Sequence, residues 1–284
     1  MVFLTEFWDI IKKVKTMFTE MLKYSFMQNA FLAGILASIL CGIIGTFVVT
    51  KRMVFISGGI SHAAFGGLGL FFFLGLDPIL GAFTVALISS VVLGLYSPEK
   101  INSQDANIGI LWSVGMAMGI LFITLSTRSY TPNLMSYLFG NILMVYKENL
   151  YLMTALTLAV VILIFSFFKY FLSIAFDEEF ARLQDVPVTL FRILLLTMTG
   201  LTIVTLIQMV GIILVIALLT IPTMISMLFL NDFKQVLLFS VLISLFLTFT
   251  GIILSYYLDL PTGPVIIVFG AFILLSGRIV TKKL

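Results

Sequence analysis

Long apolar runs, broken at short intervals by charged or turn-forming residues, dominate the chain from about Phe26 onward. The breaks place apolar spans near 27–50, 60–76, 79–96, 108–126, 149–170, 190–209, 211–230, 236–257 and 265–280, which predicts about nine helices. A hydrocarbon core of ~30 Å is crossed by about 20 residues of helix, and a backbone in lipid has to satisfy its own hydrogen bonds. A closed β-barrel would show short segments of alternating polarity instead. The predicted fold class is therefore an all-α polytopic membrane protein. Residues 136–145 are too short an apolar run to cross and read as a partial, re-entrant segment. In residues 1–25, Phe3, Phe7, Ile11, Val14, Phe18 and Met21 recur at three or four, with Lys12, Lys13 and Glu20 elsewhere on the wheel. That pattern predicts an amphipathic helix in the membrane interface, not a cleaved signal peptide, because charges interrupt it before any long apolar core. Residues 26–284 then form one transmembrane domain.

Composition agrees with the pattern. The 284 residues are 61% hydrophobic and 10% charged, where a soluble domain is roughly a quarter charged. The net charge of +3 is small, and the basic residues lie between apolar runs rather than in one patch, which argues against a nucleic-acid partner. They report topology instead. With the first span running inward, Lys51, Arg52, Lys100, Lys169, Arg182, Arg192, Lys234, Arg278, Lys282 and Lys283 fall on the cytoplasmic side, leaving Arg128 and Lys147 outside. Lys12, Lys13, Lys15 and Lys23 argue the other way, unless the amphipathic segment rests on the surface. Cys41, the single cysteine, lies in an apolar run and reads as a packing residue.

The cytoplasmic connection at 171–189 carries the longest polar interruption, 177–187. Asp177 is a plausible helix cap and Pro187 a stop, so a short helix is expected there. Phe180 and Leu183 would share one face of it, a docking surface for a soluble partner or a pair that touches the membrane. There is no GxxxxGK[ST] phosphate loop, so if ATP powers the protein another chain hydrolyses it.

Candidate chemistry concentrates at 51–69, around His62, the only histidine. Gly59, Ala63 and Gly67 form a row of small residues suited to close helix contact. Packing does not explain an imidazole, which is costly at membrane depth without a partner or a wet cavity. Ten residues of helix from Arg52 put it on the order of 15 Å from the cytoplasmic edge. Imidazole ligates transition metals, so His62 is a candidate metal contact or gate, its alternative being a satisfied core histidine. Pro222, inside an apolar run, predicts a helix kink, structural or beside a pathway. Asp259 would greet a cation at the outer mouth or be a solvated loop acid, and much the same two readings hold for Asp105 and Glu99. Tyr256 and Tyr257 suit the membrane interface.

The stretches 48–55 and 60–63, 107–119, 138–143, 177–182, 211–222 and 255–263, in this order and spacing, resemble the permease family of bacterial zinc, manganese and iron ABC importers. The resemblance covers nearly the whole chain after residue 25. It implies a multi-pass protein of a bacterial or archaeal cell membrane, a homodimer with the pathway at the subunit interface. It also implies two cytoplasmic ATP-binding subunits docked at 177–187, through Asp177, Glu178, Phe180, Arg182 and Leu183, and an external metal-binding protein. The chain itself would be no enzyme and hold no cofactor; ATP is bound by the partner and the metal ion is cargo. Gly58 and Ser61 join His62 and Pro222 as pathway or hinge positions. Many members have an aspartate four residues before the histidine, where this chain has Gly58. Either the missing ligand comes from Asn141, Gln208 or the second subunit's His62, or the metal is conducted with fewer ligands, and one imidazole without a carboxylate leans slightly to zinc by ligand preference. Two other readings stay open. One is a permease for a corrinoid or iron chelate; the other is a stand-alone secondary transporter, which would need intramembrane carboxylates that no span clearly carries.

Overall fold

The computed structural model describes residues 23–95, 101–126, 140 and 142–281, with the backbone alone at 101–105 and 107. Among the described residues ten α-helices follow one another: α1 (Ser25–Thr50), α2 (Val54–Leu74), α3 (Pro78–Leu95), α4 (Ile101–Leu125), α5 (Lys147–Ser166), α6 (Phe168–Phe176), α7 (Glu178–Leu183), α8 (Val188–Phe229), α9 (Phe233–Leu258) and α10 (Thr262–Thr281). A 3-10 turn at Ile142–Met144 precedes α5. No strand occurs among the described residues, and eight of the helices are long and apolar enough to cross a bilayer. The protein is a multi-pass, all-α membrane protein. The predicted amphipathic segment lies outside the described residues up to position 22. Of the predicted re-entrant stretch, 136–139 and 141 lie outside them, while Ile142 is buried.

Local chemistry sets the helix ends. Gly75, with φ 83°, closes α2 and returns its N–H to Phe72 O while Leu76 N–H reaches Phe71 O. Asp77 Oδ1 then accepts from Ile79 N, and Pro78 takes the first position of α3, where its missing N–H costs nothing. Asp232 Oδ1 caps α9 through Gln235 N, and Asp259, at φ 52°, ends it. Asp259 is thus an exposed helix terminator. The helix α2 begins at Val54, six residues before the predicted start at 60, because its glycines and serines, poor helix formers in isolation, are buried against neighbouring helices.

Helices α1 and α8 form the centre and are mostly buried, whereas α4 and α10 present most of their surface outward. Glycines permit the tightest crossings. A Cβ at Gly42 would stand 2.6 Å from the Val241 backbone of α9, and one at Gly66 would stand 2.9 Å from Gly115 O of α4. Gly45 meets Leu219 O and Gly67 meets Gly81 O just as closely.

The two spans predicted at 190–209 and 211–230 form the single element α8, interrupted at Gly211, whose φ of 78° and ψ of 159° are non-helical. The limbs on either side run in opposite senses. The first leaves the end marked by Arg192, whose Nε donates to Gly94 O, and Gly200 abuts Ser90 and Ala86 of α3 one to two turns higher. Beyond Gly211 the chain descends again: Leu219 abuts Gly45 of α1, and Ser226 is bonded to Ser240 near the start of α9. Pro222, the predicted kink, sits within this descending limb with no break in its helical backbone. Alternation of direction is thereby kept through α9, where Val241 and Thr248 meet Gly42 and Gly34 of α1 in antiparallel order.

Lys51, Glu178 and Arg192 meet at one end of the bundle, and Lys234 lies 5.7 Å over the Phe168 ring there. By the excess of basic residues this end is cytoplasmic. Lys147 and Lys23 fall at the other end; Lys12, Lys13 and Lys15 lie outside the described residues. The backbone at Gly211 is one that glycine alone adopts easily, so Gly211→Ala is expected to cost about 1–3 kcal/mol. Gly109→Ala, where a Cβ meets nothing within 4 Å, is expected to be neutral or to stabilise by at most about 1 kcal/mol. Thermal midpoints in detergent compare the two.

Candidate functional site

His62 lies in the ninth position of α2, 6% exposed, with Nδ1 making no hydrogen bond among the described residues. Its ring stacks on Trp112 of α4, centroids 4.2 Å apart and planes inclined by 17°. Gly58, one turn earlier, makes this possible: a Cβ there would stand 2.9 Å from the indole Cζ3. Indole therefore occupies the room that a side chain at position 58 would take. Ser61 Oγ donates to Ser57 O within α2 at 2.7 Å, which places its hydroxyl against its own helix. Packing by Gly59 against Ile108 and by Gly66 against Gly115 holds α2 and α4 close enough for the two rings to stack.

A single imidazole with an open nitrogen supplies one good ligand for a transition-metal ion. No group of three or more His, Cys, Asp or Glu that would hold a resident metal occurs among the described residues. Cys41 is fully buried in α1, as its packing reading requires.

Of the candidates for a missing ligand, Asn141 lies outside the described residues. Gln208 stands on the ascending limb of α8, with Nε2 buried and unbonded among the described residues. Contact of Gly200 with Ile60 sets the level of α8 against α2, so Gln208 is about 9 Å outward of the His62 level at 1.5 Å per residue. Thr202 and Thr205 also carry buried Oγ1 atoms without partners among the described residues, and with Gln208 they recur every third residue along this limb. Trp112, Gly211, Thr202 and Thr205 were not singled out by sequence reasoning. Only Trp112 had a usable signal, an indole in the glycine-spaced stretch 107–119.

At the cytoplasmic end, the predicted short helix is α7, capped by Asp177 Oδ1 accepting from Phe180 N at 3.0 Å. Phe180 and Leu183 are 56% and 83% exposed, and Arg182 is exposed beside them. Glu178 turns the other way, inward between Lys51 and Arg192. Of the candidate coupling residues, Glu178 is thus set apart from the outward ones. Glu99 lies outside the described residues, as does the side chain of Asp105.

A model of the ABC 3 transport family matches residues 23–281. The chain belongs to this family. Among its relatives, an uncharacterised membrane protein of Synechocystis sp. is 39% identical over 248 residues, 87% of this chain and 88% of that one. The manganese import system permease protein ScaB of Streptococcus gordonii is 30% identical over 260 residues, 92% of this chain and 93% of that one. The solved structure of PsaBC from Streptococcus pneumoniae in complex with Fab matches with a TM-score of 0.81 at 30% identity, covering 93% of this chain and 95% of its counterpart. Family membership fits a bundle with eight candidate membrane-spanning helices among the described residues.

Because Gly58 and Trp112 fill one space, enlarging the first should conflict with the second. Gly58→Ala is expected to destabilise by about 1–3 kcal/mol, and Trp112→Leu in the same chain to recover most of that loss. A double-mutant cycle on thermal midpoints measures the coupling.

Proposed function

We propose that this chain is the permease subunit of an ATP-driven importer for a divalent transition-metal ion, and that the ion is manganese. The observation that carries the reading is likeness over nearly the whole chain to a permease named for manganese import, within the ABC 3 transport family. His62, buried at membrane depth with an open nitrogen, is the side chain best suited to meet the ion. Likeness to a permease named for manganese import supports manganese over the slight lean to zinc that a lone imidazole carries. The reading is preferred to a chelate cargo on the likeness to proteins named for metal transport and manganese import.

The partners follow from the same reading. Two copies of the chain would pack across their outward helices, sharing the pathway. An ATPase subunit would dock on each α7 through Phe180, Leu183 and Arg182, and an external protein would deliver the ion. ATP-driven movement of the α7 end would then open the pathway alternately to either side. ATP is hydrolysed by the partner, and this chain contributes no catalytic group.

Purified with its ATPase and supplied with its binding protein, the complex is expected to show ATP hydrolysis stimulated by Mn²⁺ more than by Zn²⁺ or Fe²⁺. Stimulation by Zn²⁺ alone would overturn the choice of metal, and stimulation by none would remove the metal reading. His62→Ala should lower Mn²⁺ transport on the order of tenfold or more, the scale of losing a metal contact, while leaving ATPase association intact. Leu183→Asp should instead abolish co-purification of the ATPase.

A further inference from the structure

Two basic side chains converge on Glu178. Lys51 Nζ lies 2.7 Å from Oε1 and Arg192 Nη1 lies 2.9 Å from Oε2, the three side chains being 7–12% exposed. Each cation has a second anchor on another element. Lys51 also donates to Ile174 O of α6, and Arg192 Nε donates to Gly94 O of α3 at 2.8 Å. One carboxylate on a six-residue helix therefore links the ends of α1, α3, α6 and α8. Lys51 stands directly after α1 and three residues before α2, the helix that carries His62. Arg192 lies in the second turn of the ascending limb of α8. The opposite side of α7 is the exposed pair Phe180 and Leu183, while Ala181 is fully buried.

A carboxylate this shielded is tolerated because both its oxygens are paired, and charge-assisted pairs of this kind are directional. A push on the outer face of α7 is thus delivered to the α1–α2 turn and to α8 through a fixed link rather than through lipid-softened contacts. We propose that Glu178 is a positioning residue that couples movement of the ATPase-facing side of α7 to the helices carrying His62 and the Gly211 reversal. The proposal rests on the reading that α7 faces an ATPase. It differs from a static staple in one respect: a staple affects stability, whereas a coupling link sets how much cargo moves for each ATP spent.

The test uses Glu178→Gln, which keeps size and hydrogen-bonding capacity but removes the charge. It also uses Lys51→Gln, which cuts one arm and leaves the pair with Arg192. In vesicles holding the complete complex, Mn²⁺ accumulated per ATP hydrolysed is expected to fall on the order of tenfold in Glu178→Gln, and less in Lys51→Gln, with the ATPase still bound. An unchanged ratio in both variants, even with a lowered thermal midpoint, would reduce Glu178 to a staple and overturn the proposal. A second readout is independent of cargo: a fluorophore at Ser113→Cys on α4, in a Cys41→Ala background, followed on addition of ATP. Loss of the ATP-driven response in Glu178→Gln supports the link even where the unaltered complex moves no Mn²⁺, in which case the manganese reading alone falls. A retained response overturns the link.

Discussion

Close approach of helix backbones is the constraint on which this structure depends. Lipid is as apolar as leucine, so no hydrophobic force presses one spanning helix against another, and contact has to come from packing surfaces that fit. Here the fit is made where side chains are missing. Gly66 of α2 seats against Gly115 of α4, Gly67 against Gly81 of α3, and Gly42 of α1 against the backbone at Val241 of α9. Any larger residue at these points would separate the helices.

Two local features follow from that closeness. The tight seam of α2 and α4 brings Trp112 over His62, and Gly58 leaves the space the indole needs. A polar ring is thereby held at membrane depth with one nitrogen uncommitted. The reversal at Gly211 lets a single helical element rise and return within the bundle, so that Gln208 and Pro222 belong to opposite limbs. At the cytoplasmic end a different force operates: shielded charges on Lys51, Glu178 and Arg192 fasten the short helix α7 to the ends of the long ones.

Much of this was legible in the sequence. Continuous apolar runs gave the helical class and nearly all the span positions, since lipid leaves few alternatives to helix. Asp177 and Pro187 bracketed α7 because caps and prolines act locally. Less legible was whatever depends on two distant positions at once. Gly58 read as a lost ligand because its partner, Trp112, lies far along the chain. Pro222 looked like the break because proline announces itself, whereas Gly211 resembles many packing glycines until its positive φ is seen. Glu178 was grouped with the other coupling candidates because no local pattern tells an inward carboxylate from an outward one.

The measurement closest to the central claim is accumulation of radioactive Mn²⁺ in sealed vesicles containing this chain, its ATPase and its external binding protein, with ATP on the cytoplasmic side. The account predicts accumulation that requires ATP hydrolysis and is lost when the binding protein is left out. Accumulation that proceeds without ATP, or none for an intact complex, would contradict it.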